Sequence, residues 1–129
     1  MTKNGKRYLG GAALAAAALA GYLLIGPSQL GGPVTYVAVT GTSMQPHLHT
    51  GDLVIVRKAP QYNVGDVVAF RNSQLRSTVL HRIIGVEDGR FVLQGDNNDF
   101  VDTYRARPED IVGRKWLVLG KAGKVIELV

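Results

Sequence analysis

From Val34 onward the chain holds no helical period over ten residues, and short β-branched or aromatic runs alternate instead with turn residues. The runs are VTYVAV (34–39), LVIV (53–56) after Gly51-Asp52, VVAF (67–70) after Gly65-Asp66, and TVLHRIIGV (78–86). After the turn Glu87-Asp88-Gly89-Arg90 come FVLQ (91–94), IVGRKWLVL (111–119) and KVIELV (124–129). Turn signals about every ten residues predict an all-β barrel or sandwich over 34–129.

The segment before Val34 has a different character. Residues 1–7 form a basic stub with Lys3, Lys6 and Arg7, and 8–26 (YLGGAALAAAALAGYLLIG) carry no charge. As a helix, 8–26 would be about 28 Å long at roughly 1.5 Å per residue, close to the thickness of a bilayer core. A retained transmembrane anchor is the preferred reading. A cleaved signal ending near Ala18-Leu19-Ala20-Gly21 and a buried helix are the alternatives. Basic residues on the short side place the N-terminus in the cytoplasm and the rest outside it. GPSQLGGP, within 27–33 and the glycine before it, reads as a linker.

Charge narrows the partners. The net charge is +5, but the stub contributes three cations, leaving residues 8–129 at +2 with the cations scattered between strands and turns. A nucleic-acid partner is not expected from that distribution. Without Cys there is neither a disulfide nor a thiolate metal site, and no compartment follows from this.

Three places concentrate reactive side chains. In GTSMQPHLHTGD (41–52), Ser43 follows an apolar strand and precedes a chain reversal, a position that can present a hydroxyl beside free backbone N–H groups. His81 lies in an apolar strand among Val79, Leu80, Ile83 and Ile84, and a neutral imidazole can take a proton from a serine. In GDNNDFVD (95–102), Asp96, Asp99 and Asp102 alternate with turn formers. One of them could hold the imidazole, or all could cap their own turn. The loop lacks the Gly and Glu of a calcium-binding EF-hand. His47 and His49 are read as surface residues of their loop, since no third metal ligand accompanies them.

The order Ser43-Met44-Gln45-Pro46, Gly51-Asp52, Leu80-His81-Arg82-Ile83-Ile84, Gly95-Asp96-Asn97-Asn98 and Asp102 resembles the type I signal peptidase family. The likeness spans roughly residues 36–115 and extends to the preceding anchor. It is nearest to the branch of archaea and the endoplasmic reticulum, where a histidine replaces the lysine base of most bacterial members. The resemblance implies a small, partly open β-barrel or sandwich behind one transmembrane helix. It implies a membrane-bound serine endopeptidase that cuts signal peptides from exported preproteins after small residues. Ser43 would be the nucleophile and His81 the base. Asp102 is preferred over Asp96 as the third member. Where the family often has a serine hydroxyl for the oxyanion, this chain has Gly41, leaving the Ser43 N–H and Thr42. Met44, Leu80 and Ile83 are the expected walls of the substrate pockets. No metal or organic cofactor is expected. Signal-bearing preproteins and the bilayer are the implied partners, and work beside the protein translocation machinery is left open. Rival readings are a self-cleaving, repressor-like serine peptidase and an inactive anchored β-domain that binds a protein.

Overall fold

A computed structural model describes the backbone of residues 3–120 and 125–128 and the side chains of 10–120. The chain divides into two compact units, residues 1–34 and 35–129.

The first unit is a single helix, α1 (Lys3–Ile25), followed by a short 3-10 turn at Ser28–Leu30. Ala and Leu favour the helix, and Gly26 with Pro27 ends it. Gly26 N–H still donates to the Tyr22 carbonyl at 2.9 Å, and Gly31 turns the chain at a φ of 82°. The expected span at 8–26 is thus helical. Among the described residues, however, no helix is long and apolar enough to cross a membrane, and the side chains of the stub and of Tyr8 and Leu9 lie outside them. Ala18-Leu19-Ala20-Gly21 falls inside α1.

The second unit is β-structure. Its strands are β1 (Val34–Ala38), β2 (Leu53–Arg57), β3 (Val67–Asn72), β4 (Ser77–Glu87), β5 (Arg90–Gln94), β6 (Ile111–Leu119) and β7 (Val125–Leu128). They form one sheet in the order β1-β2-β6-β3-β4-β5, with β7 added to β6. The pairings β2–β6, β3–β4, β3–β6, β4–β5 and β6–β7 are antiparallel. One edge of β6 serves two partners in succession, β3 at Ile111–Arg114 and β7 at Leu117–Leu119. Among the described residues β1 and β5 do not pair with each other, so the sheet stays open and does not close into a barrel. The expected run at 124–129 is β7, with residues 124 and 129 outside the described set.

Strand β3 is the reason the small unit has a core at all. Val67, Val68, Ala69 and Phe70 are all buried, as a continuous apolar run demands when both faces are covered. Alternation sends Val67 and Ala69 into one cluster with Val39, Met44, Leu48, Val54, Val56, Leu80 and Val118. Val68 and Phe70 join Ile83, Phe91, Leu93, Ala106 and Ile111 in the other. Phe70 is fully buried and stacks on Tyr104 with 6.2 Å between ring centroids. Phe70→Ala should therefore lower the unfolding free energy by about 3–5 kcal/mol. Urea denaturation of the two proteins measures this, and a loss below about 1 kcal/mol would contradict the two-sided core.

Candidate active site

The loop 40–52 carries Ser43 and is anchored at both ends. Val39 N–H donates to the Asp52 carbonyl at 2.9 Å, and Gly51 N–H donates back to the Val39 carbonyl at 2.9 Å. Met44 and Leu48, nearly inaccessible, plug the loop into the core, and Leu48 N–H donates to the Met44 carbonyl at 3.0 Å. Gly41 turns the backbone at a φ of 79°, where a side chain would be strained. A serine at position 41, as the signal peptidase pattern often has, would not suit this backbone. The Thr50 hydroxyl donates to the Gly41 carbonyl at 2.6 Å and closes the loop's neck.

His81 comes from β4, opposite Val68 and tilted against Phe70. Asp102 comes from the loop after β5. That loop is pinned at one end by Asp102 N–H donating to the Leu93 carbonyl at 2.9 Å. At the other end Phe91 N–H donates to the Ala106 carbonyl at 2.8 Å, and Arg105 donates to the Asp102 carbonyl.

These three elements bring Ser43, His81 and Asp102 into one line. His81 Nε2 lies 3.1 Å from Ser43 Oγ, and Nδ1 lies 2.6 Å from Asp102 Oδ2. The imidazole and the carboxylate are both largely shielded, with side-chain exposures of 10% and 13%. A carboxylate can only accept, so Nδ1 donates and Nε2 is left to accept from the serine hydroxyl. Such a chain can remove a proton from Ser43 and stabilise the imidazolium that results.

Asp96, the rival for the third role, is committed elsewhere. Its carboxylate accepts from Arg82 Nε at 2.8 Å and Nη2 at 2.7 Å, a two-pronged pair, and from His47 Nδ1 at 2.9 Å. The hydrogen bonds from Arg82 hold Asp96 below the usual carboxyl range. Burial pushes the other way, and the charges of Arg82 and His47 add to the lowering. His47, expected to be a plain surface residue, is an exposed ring with an ion-pair partner. Asp96 is thus held by Arg82 and Asp102 by His81, while Asp99, the third acid of 95–102, is exposed. Among the described residues no three metal-binding side chains come together.

Sequence reasoning did not assign the stitching of the two loops. Asn97 N–H donates to the Ser43 carbonyl at 2.8 Å, and its side-chain amide donates to the Thr42 carbonyl at 3.0 Å. Thr42 is exposed, and among the described residues the Ser43 N–H makes no hydrogen bond. A groove beside Ser43 is lined by Val37–Thr40, Met44 and Ser77–Leu80. Met44 and Leu80 thus belong to its walls, whereas Ile83 does not. Three residues on from Leu80 in a strand, Ile83 faces the other way, into the cluster around Phe70.

An open β-sheet carrying a serine, a histidine and an aspartate in hydrogen-bond sequence is the frame of a serine peptidase. Residues 7–116 match the Peptidase S24-like family, and the chain belongs to that family. No curated protein matches the chain.

Two measurements test this geometry. A Cβ on Gly95 would lie 2.7 Å from the Ser43 carbonyl oxygen and 3.0 Å from His81 Nε2, whereas one on Gly85 would meet nothing closer than 3.8 Å. Gly95→Ala should cost roughly 1–3 kcal/mol of stability by overpacking, and Gly85→Ala much less, by urea unfolding. Asp96→Asn probes the lowered carboxyl. A carboxyl depressed in the folded state stabilises it above the ordinary value of about 4 and loses that contribution as pH falls through the depressed value. The stability gap between wild type and Asp96→Asn should be full at neutral pH and close at strongly acid pH. A gap that does not change with pH would contradict the assignment.

Proposed function

We propose that this S24-like peptidase is a membrane-anchored serine endopeptidase of the signal-peptidase kind, in the branch whose base is histidine. It would cut signal-bearing preproteins after small residues. The observation that carries the reading is the line from Ser43 Oγ through His81 to Asp102, at 3.1 and 2.6 Å, beside an open groove.

The substrate's cleavage region would add as an extended strand along the groove between the end of β1 and the first half of β4. There β4 residues Ser77–Arg82 are paired on the β3 side, and β1 ends the sheet. Side chains one and three places before the scissile bond share a face of such a strand. They would meet the walls around Met44 and Leu80.

Ser43 Oγ then attacks the carbonyl carbon while its proton passes to His81 Nε2, and Asp102 stabilises the imidazolium. The oxyanion is met by the Ser43 N–H and, as the second donor, the Thr42 hydroxyl, with Gly41 supplying none. His81 gives the proton to the leaving amine, and water releases the acyl group by the same steps in reverse. No cofactor takes part.

Membrane anchoring by residues 8–26 is part of this proposal. Leu14, Leu19, Leu23 and Leu24 of α1 are all exposed, an apolar surface that a bilayer would cover. A cytoplasmic N-terminus and an extracytoplasmic sheet unit follow from the basic stub. Holding enzyme and preprotein in one membrane raises their effective concentration.

The family match favours one other reading, a self-cleaving peptidase of repressor type. Those enzymes use lysine as base, where this chain has His81. The test is incubation of detergent-solubilised protein with a signal-bearing preprotein, followed by sequencing of the new N-terminus. Ser43→Ala and His81→Ala should each lower kcat/KM by at least about a thousandfold, and Asp102→Asn by a comparable factor. Full activity in Ser43→Ala would remove the nucleophile. If only the chain itself is cut, at a rate independent of its concentration, the self-cleaving reading takes over.

A further inference from the structure

His47 lies four residues beyond Ser43, on the same loop, and its Nδ1 reaches Asp96 Oδ2 at 2.9 Å. Arg82, next to His81 in β4, holds the same oxygen at 2.7 Å. Asp96 itself sits between Gly95, packed on the Ser43 carbonyl and the His81 ring, and Asn97, which is bonded to the Ser43 carbonyl. Its backbone N–H also meets Met44 Sδ at 3.4 Å. One carboxylate is therefore gripped from the nucleophile's loop and from the base's strand at once. The Arg82 arm has a permanent charge, whereas the His47 arm is charged only when the ring is protonated.

We propose that His47 is a positioning residue: through Asp96 it braces the Ser43 loop against the strand carrying His81, and the brace tightens when its imidazole takes up a proton. The charged groups facing His47 are Asp96 from the 95–98 loop and, across the shared oxygen, Arg82 from β4. On its own loop, Asp52 is turned away, accepting from His49 N–H at 2.8 Å. A neutral ring can still donate one hydrogen bond to Asp96. A protonated ring makes a charge-assisted one, which is shorter and stronger. The ring's 59% exposure limits the gain, so the effect on turnover is a modulation of about threefold. The direction is opposite to that of the base. His81 must be neutral to accept a proton, so it favours high pH, while the His47 brace favours low pH.

The effect on turnover rests on the peptidase reading above, but the brace itself does not, and the experiment keeps the two apart. Preprotein cleavage is followed for wild type, His47→Gln and His47→Arg across roughly pH 5.5 to 8, the range in which histidines generally titrate. Glutamine keeps a neutral donor, and arginine keeps a charge at every pH. Dividing wild-type kcat/KM by that of His47→Gln cancels the contribution of His81. The ratio should be about three at the acid end and fall toward one at the alkaline end. The same ratio taken against His47→Arg should instead fall below one as pH rises.

Amide hydrogen exchange in residues 43–48, corrected for its intrinsic pH dependence, supplies a readout that needs no substrate. Wild type should be better protected at acid than at alkaline pH, and His47→Gln should show no such difference. A flat kcat/KM ratio together with unchanged exchange would overturn the proposal, even if His47→Gln lowers thermal stability. Ser43→Ala retaining cleavage would instead overturn the peptidase reading, and the exchange experiment would still decide the brace.

Discussion

Gly95 sits where a Cβ would crowd the Ser43 carbonyl oxygen at 2.7 Å and His81 Nε2 at 3.0 Å, and the rest of the site depends on that closeness. Because Gly95 has no side chain, the loop after β5 can lie directly against the serine loop. Asn97 then reaches both the Ser43 and Thr42 carbonyls, and Asp102 arrives on the far side of the imidazole. The nucleophile, the base and the acid belong to three separate segments, so no local structure aligns them. Backbone-to-backbone contact does, and a chain of hydrogen bonds only a few tenths of an ångström long in tolerance needs that kind of rigidity.

Strand β3 plays the corresponding part for the fold. A unit of this size has little interior, and a sheet with one covered face would bury only half of each strand. Covering both faces of Val67–Phe70 lets one short strand serve two clusters. His81 pairs with Val68 and leans on Phe70, so the base is held by the strand that holds the core together. Shielding the imidazole and Asp102 from water strengthens their attraction, and the hydrogen bond between them offsets the cost of that burial.

Much of this was legible in the sequence. Each β-branched run bounded by a Gly-Asp turn became a strand, because such residues fit a pleated, half-buried surface and glycine supplies the turns at φ values such as 94° for Gly51 and 98° for Gly65. The run VVAF was legible as a strand, but that both its faces are covered emerges only from the folded clusters on either side. The assignment of Ile83 to the substrate groove conflicted with the alternation of a strand, which already separates it from Leu80. What was not legible depends on contacts between distant segments. Nothing local to His47 announces a partner 49 positions later, and the choice between Asp96 and Asp102 turns on which carboxylate the folded loops bring to Nδ1.

Two carboxylates six residues apart in one loop could have competed for the same ring, and the arginine beside the base prevents it. Arg82 follows His81 in β4, so strand alternation sends the guanidinium to the face opposite the imidazole. There it meets Asp96 with two parallel bonds, a geometry that neutralises the acid where it stands. Among the described residues Asp102 is left as the one carboxylate on the imidazole, and its charge stabilises the His81 imidazolium. A lysine base in this position would need to shed its proton against such surroundings, since nearby carboxylates favour the charged amine. Histidine profits from the same carboxylate, because the charge that Asp102 stabilises is the one His81 acquires only while Ser43 is attacking. The pairing of Arg82 with Asp96 therefore matters to the chemistry as well as to the loop, by deciding which acid the base feels.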